Sequence, residues 1–197
     1  MIIWLNGAFG SGKTTTAFEL HHMLKDSFVY DPEKIGYFLM RYEPREFRSE
    51  NFQDKPLWQK FNYEMIKNIA LNFKGTIIIP MTIINEDYYH EIISKLRNDG
   101  IRIDHYVLAA SEDTLKKRGR SRLCFKNSWS VKQIPFCVTA FQNPIFENHI
   151  NTDLLTLYEV IDIIVKKSNL DLLPDKTNNL QKWVRRKKTQ LKHIKKL

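Results

Sequence analysis

Residues 1–14 read Met1-Ile-Ile-Trp-Leu-Asn-Gly-Ala-Phe-Gly-Ser-Gly-Lys-Thr14. Ile2, Ile3, Trp4 and Leu5 form an unbroken apolar run, the pattern of a strand buried on both faces of a parallel sheet. Gly7, Ala8, Phe9, Gly10, Ser11, Gly12, Lys13 and Thr14 then satisfy G-x-x-x-x-G-K-[ST] at every constrained position, and Thr14-Thr-Thr-Ala-Phe-Glu-Leu20 resumes at helical spacing. Strand, glycine-rich loop and helix in that order predict a main chain folded around a polyphosphate. Backbone N–H groups must close on the anion, and Gly7, Gly10 and Gly12 allow so sharp a turn because they carry no Cβ. Lys13 is expected to reach the β- and γ-phosphates and Thr14 to ligate Mg²⁺, with the positive end of the helix facing the anion. The expected nucleotide-binding residues run from Gly7 through Thr15.

At 197 residues, 43% hydrophobic and with only seven glycines and seven prolines, the chain predicts one globular domain that buries a core without disulfides or metals. No apolar run approaches about 20 residues, and no basic segment precedes the N-terminal apolar stretch. Neither a membrane span nor a signal peptide is expected, and the cytoplasm is the expected compartment. Cys124 and Cys137 fit no zinc spacing, and the six histidines are scattered without a ligand pattern, so no histidine metal site is expected.

Along the chain, Ser27-Phe-Val-Tyr30 reads as a second strand, which delivers Asp31 to the carboxyl edge where open α/β sheets bind ligands. Asp31-Pro32-Glu33 also reads as a helix start, with Asp31 as cap, and the two roles are compatible. Residues 33–48 suggest short helices whose Arg41, Arg45 and Arg48 either capture substrate or face solvent. Pro56 opens a helix in which Leu57, Phe61, Met65, Ile69 and Phe73 are expected to face the core. Thr76-Ile-Ile-Ile-Pro80 reads as a strand beside the first. Pro80, Met81 and Thr82 stand where many phosphate-loop enzymes carry a magnesium-binding Asp, which weighs against a two-carboxylate metal site. Asn85 caps a helix to about Asn98, and 101–108 read as the fourth strand.

Ser111 caps a helix carrying Lys116, Lys117, Arg118, Arg120 and Arg122. Such a cluster suggests a lid at about 115–130 whose arginines close on phosphates, with Arg118 and Arg122 on one face at i,i+4; a solvated basic helix is the plainer alternative. A helical stretch over 130–141, a fifth strand at 149–152 and a helix capped by Thr156 complete a domain of residues 1–173.

Residues 174–197 form a separate basic tail. Eight of the 31 basic residues fall between Gln181 and Leu197 with no acid among them, leaving 23 basic against 22 acidic before it. On a helical projection Leu180, Trp183, Val184, Leu191 and Ile194 share a sector of roughly 100°. Three partners remain open for this amphipathic helix: an anionic membrane surface through 180–197, the domain itself, or nucleic acid. The near-neutral domain and the lack of a nucleic-acid motif weigh against the last.

Five stretches carry a resemblance: Asn6-Gly-Ala-Phe-Gly-Ser-Gly-Lys-Thr14, Val29-Tyr-Asp-Pro-Glu-Lys34, Pro80-Met-Thr-Ile83, Lys126-Asn-Ser-Trp129 and Pro144-Ile-Phe-Glu147. Over nearly its whole length the chain resembles the ATP-binding tunicamycin-resistance protein family. The resemblance implies a three-layer α/β phosphate-loop fold of nucleoside-kinase type, its five-stranded parallel sheet ordered 2-3-1-4-5 between helices on both faces. It also implies ATP with Mg²⁺, a nucleoside-type antibiotic as partner, and a C-terminal helix at the membrane surface. Two routes to resistance stay open. In phosphoryl transfer Asp31 would position or deprotonate an acceptor hydroxyl while Lys13, Arg118 and Arg122 stabilise the transferred charge. In ATP-gated sequestration the drug is retained unmodified.

Overall fold

In the computed structural model, residues 1–120, 129–174, 177 and 179–192 are described. Strand β1 (Ile2–Asn6) is buried throughout, and its side chains alternate between two separate cores, Ile2 and Trp4 entering one, Ile3 and Leu5 the other. An all-apolar strand demands this arrangement, because a sheet covered on both faces leaves no polar side. Parallel partners flank it: β3 (Thr76–Pro80), also wholly buried, on one side and β4 (Ile103–Ala109) on the other, with Ile2 opposite both Ile77 and Ile103. Strand β2 (Ser27–Val29) lines the outer edge of β3, and β5 (His149–Asn151) that of β4. The result is a five-stranded parallel sheet in the order 2-3-1-4-5.

Parallel strands require crossovers, and the helices that make them supply the two covering layers. Helix α1 (Lys13–Met23) and helix α9 (Leu157–Ser168) cover one face, where Ala17, Leu20, Val160, Ile161 and Ile164 meet Ile3 and Leu5. Thr156 starts α9 with a reciprocal capping box, its hydroxyl accepting from the Glu159 N–H while the Glu159 carboxylate accepts from its own. The opposite face is covered by α3 (Pro56–Asn72), by a rod over 86–98 and by α8 (Ile134–Ala140). The rod joins α4 (Glu86–Tyr89), a π-helical turn at His90–Ser94 and α5 (Lys95–Asn98). Helix α2 (Glu33–Tyr42) follows β2, while α6 (Glu112–Arg120) and the short α7 (Trp129–Lys132) come between β4 and α8.

One face differs from expectation. Leu57, Phe61 and Met65 of α3 are 54%, 39% and 37% exposed, and the buried stripe runs instead through Trp58, Asn62 and Ile66, one position on. Hydrogen bonds set this rotation. The Trp58 indole donates to the Pro32 carbonyl at 3.0 Å, and the Asn62 side-chain Oδ1 accepts from the Tyr30 hydroxyl at 2.8 Å. An apolar pattern carries no information about polar partners that lie outside the helix. Ile69 and Phe73 do pack against the core.

The last helix, α10 (Asn179–Lys192), lies against α1. Its Arg185 grips the buried Glu19 of α1 with two parallel bonds, Nε to Oε1 at 2.9 Å and Nη2 to Oε2 at 2.7 Å. The helix is therefore docked on the domain, though not through its apolar sector: Leu180, Trp183 and Val184 stay exposed. The Leu191 side chain and Ile194 lie outside the described residues, as do Arg122 and the rest of 121–128 in the expected lid.

The rotation of α3 has a measurable consequence. Trp58→Ala should lower unfolding free energy by about 3–5 kcal/mol, whereas Leu57→Ala should change it by no more than about 0.5 kcal/mol. Urea denaturation of both variants checks this, and equal losses would restore the apolar stripe as the buried face.

Candidate functional site

The site is rooted in Asn6, the last residue of β1, which is fully buried. Its Oδ1 accepts from the N–H groups of Gly7 (2.9 Å) and Ile83 (3.0 Å). Its amide nitrogen donates to the Ile83 carbonyl at 2.8 Å and contacts Nε2 of His105 at 3.2 Å. An amide NH₂ can only donate, so Nε2 of His105 accepts and the ring is neutral. Burial, aided by the charge of Arg97, pushes the His105 pKa down from 6.5 to about 3. One side chain thus joins the start of the loop to the segment after β3 and to β4.

From Asn6 the chain turns through Gly7 and Gly10 at φ +141° and +87°. A Cβ on Gly7 would sit 2.6 Å from the Leu108 carbonyl oxygen of β4, and one on Gly10 would sit 2.7 Å from that of Leu115 in α6. The loop can lie where it does only because both are glycine. A Ser11 N–H bond to the Ala8 carbonyl (3.1 Å) closes the turn, and Thr16 N–H to Gly12 carbonyl (2.9 Å) opens α1. Lys13 folds back over the loop, donating to the carbonyls of Gly7 at 2.8 Å and Ala8 at 3.0 Å. The Thr82 hydroxyl braces the same Gly7 carbonyl at 2.9 Å. The Ser11 hydroxyl is buried without a hydrogen-bond partner among the described residues, a polar atom in the loop for which a ligand oxygen is a natural complement. Thr14 is half-buried and Thr15 buried in the first turn of α1.

Beside the loop, toward β4 and β5, opens a cavity of about 380 Å³ walled by Gly10, Ser11, Gly12, Thr15, Thr16 and Arg118. Arg118 donates through Nη1 to the Thr152 hydroxyl at 3.0 Å and through Nη2 to its carbonyl at 2.7 Å, which fixes the guanidinium in the wall. Asp31 does not line this cavity. It sits just past β2, where Oδ1 accepts from the Glu33 N–H at 3.1 Å and orders the entry to α2. With β3 between β2 and β1, it stands roughly 10 Å across the sheet from the loop. Asp31 and Arg118 thus flank the loop from opposite sides, and only Arg118 joins the loop residues in one cavity. Arg122 falls outside the described residues.

Reading the sequence for site residues did not single out Asn6, Thr82 or Thr152. The one cue for Asn6 was its place immediately before the glycine motif.

Residues 2–127 match an AAA domain, more than half of the chain. The chain belongs to that family. Among solved structures it is similar to the tunicamycin resistance protein of Deinococcus radiodurans, at 27% identity and a TM-score of 0.74 over 88% of this chain and 99% of that one. A sugar kinase from a Janibacter species matches at 18% identity and a TM-score of 0.60, over 86% of this chain and 94% of that one. Shikimate kinase from Bacteroides thetaiotaomicron matches at 16% identity and a TM-score of 0.57, over 86% of this chain and 99% of that one. At these identities the two kinases bear on the fold alone. No curated protein matches the sequence. Family and fold together make this AAA-domain chain a phosphate-loop nucleotide-binding protein.

The neutral His105 makes stability depend on pH. Its folded pKa of about 3 lies below the ordinary 6.5, so between those values the unfolded chain binds a proton that the folded chain refuses. Its contribution is complete above the higher value and is lost as pH falls toward the lower. Urea midpoints of wild type and His105→Gln, measured at about pH 7 and about pH 5, should show the smaller decline in the variant. Identical declines would mean that His105 is not the source.

Proposed function

We propose that the chain is an ATP-dependent phosphotransferase acting on a nucleoside-type antibiotic of the tunicamycin class. The observation that carries this reading is Lys13, seated across the mouth of a glycine turn whose Ser11 hydroxyl is buried without a partner among the described residues. The similarity to the D. radiodurans tunicamycin resistance protein, at 27% identity, supports the substrate class.

Bound ATP supplies the phosphoryl group. Main-chain N–H groups of the glycine turn and of the first turn of α1, together with the Lys13 ammonium, hold its phosphates, Lys13 exchanging two carbonyl partners for phosphate oxygens. Thr14 would hold Mg²⁺, which would supply positive charge to the phosphates. Asp31 accepts the proton of the acceptor hydroxyl as its oxygen bonds to phosphorus and ADP leaves. Lys13, with Arg118 from the cavity side and Arg122, offsets the charge on the transferred group. The kinase-like unit is residues 1–173 with its lid at about 115–130, carrying the helix of 174–197.

The second reading, ATP-gated retention of an unmodified drug, draws on Pro80-Met-Thr82, which puts no carboxylate at the end of β3. Mass spectrometry of a tunicamycin-type nucleoside incubated with the protein and Mg·ATP separates the two. The kinase reading requires a gain of one phosphoryl group, absent with Lys13→Ala, which should also lose ATP affinity by calorimetry while unfolding within about 0.5 kcal/mol of wild type. A nucleoside left unmodified after many equivalents of ATP rejects phosphoryl transfer.

Asp31→Asn isolates the base, because an amide oxygen can still accept from the Glu33 N–H. Turnover should fall by about 10²–10⁴-fold with stability unchanged. Full turnover in this variant would leave Asp31 only its role at the start of α2.

We also assign residues 180–197 a second partner, an anionic membrane surface on the cytoplasmic side. Exposed Leu180 and Val184 amid the basic cluster suit a helix lying in that interface. No helix among the described residues is long and apolar enough to cross a membrane.

A further inference from the structure

The cavity beside the loop has a third wall that comes from the far end of the chain. Trp183, Arg186 and Lys187 of α10 close it opposite Thr15, Thr16 and Arg118. We propose that α10 is part of the nucleotide site, so that nucleotide binding and docking of the C-terminal helix form one coupled equilibrium. This rests on the reading of the loop as an ATP site.

Placement follows from the ion pair between helices. Glu19 lies four residues beyond Thr15 and so shares its face of α1. Glu19 is 1% exposed, and it binds Arg185 in a fork while also accepting from the Tyr158 hydroxyl at 3.2 Å. The Lys182 ammonium stands 4.9 Å above the Tyr158 ring and the Arg186 guanidinium 6.0 Å from it. These contacts seat α10 in a register that carries Trp183, Arg186 and Lys187 over the first turn of α1.

The chemistry of the wall defines what it receives. A polyphosphate held by the loop would border this cavity, which Gly10, Ser11 and Gly12 also line. Its floor is aliphatic, through Leu155, Leu157 and Val160, and its α10 side offers an indole with half its surface open. Arg118, Arg186 and Lys187 are its charged side chains, and all are cations. An aliphatic floor, an indole and three cations suit a flat heteroaromatic base joined to an anionic chain, as in a nucleoside triphosphate. Without α10 the cavity is an open shelf with Arg118 as its sole charged side chain among the described residues. A ligand that touches α10 stabilises the docked helix, and the docked helix by the same free energy tightens the ligand.

The test uses the full chain, titrated calorimetrically with Mg·ATP and separately with Mg·tripolyphosphate, which fills the loop but has no base. Trp183→Ala should weaken ATP about fivefold to tenfold and leave tripolyphosphate unchanged. Arg186→Ala/Lys187→Ala should weaken ATP by about tenfold and flatten its salt dependence. Arg185 is not among the residues lining the cavity, yet Arg185→Ala should weaken ATP by releasing the helix. Reciprocally, Mg·ATP should slow tryptic cleavage within α10 of the wild type. Unchanged ATP affinity across these variants overturns the proposal, as does an equal loss of tripolyphosphate in Trp183→Ala. A wild-type chain that binds neither ligand overturns the reading of the loop itself, and the proposal with it.

Discussion

The main chain between β1 and α1 passes so close to two carbonyl oxygens that no side chain fits between them. A Cβ on Gly7 would meet the Leu108 oxygen at 2.6 Å and one on Gly10 that of Leu115 at 2.7 Å. Both contacts come from the β4 side of the sheet, so the loop is pressed against the neighbouring strand and the helix that follows it. Asn6 supplies the complementary tie toward β3 by bonding both main-chain groups of Ile83. Held from both sides, the turn stands ready for an anion before any ligand arrives, and Lys13 waits on carbonyls that a phosphate can replace.

The strand order then divides the labour around the loop. β1 lies between β3 and β4, so whatever follows β2 and β3 approaches from one flank and whatever follows β4 and β5 from the other. Asp31 belongs to the first flank; Arg118, Thr152 and α10 belong to the second. The proposed phosphoryl transfer would use this separation, with donor and acceptor meeting above the loop from opposite sides. Docking of α10 through the pair of buried Glu19 with Arg185 joins the second flank to the last described helix of the chain.

Much of this was legible in the residues themselves. The glycine motif, the apolar run before it and the helical spacing after it specify β1, the loop and α1, because local backbone demands dominate there. Parallel pairing of β3 with β1 also follows from two fully apolar strands that must be buried on both faces. The sheet order was implied only by resemblance. Two features were hidden for a shared reason. The rotation of α3 depends on hydrogen bonds from Trp58 to Pro32 and from Tyr30 to Asn62, and the seating of α10 depends on Arg185 finding Glu19. In each case a polar group is buried against a residue distant in sequence, and periodicity records the apolar residues alone. Glu19 reads as an ordinary surface charge until α10 covers it.

The most direct measurement is a crystal structure of the intact chain with a non-hydrolysable ATP analogue, Mg²⁺ and a tunicamycin-type nucleoside. The predicted result has Lys13 Nζ on phosphate oxygens in place of the Gly7 and Ala8 carbonyls, with a nucleoside hydroxyl beside Asp31 and in line with the γ-phosphorus. Phosphates held away from the loop, or a nucleoside with no hydroxyl within reach of the γ-phosphorus, would contradict phosphoryl transfer at this site.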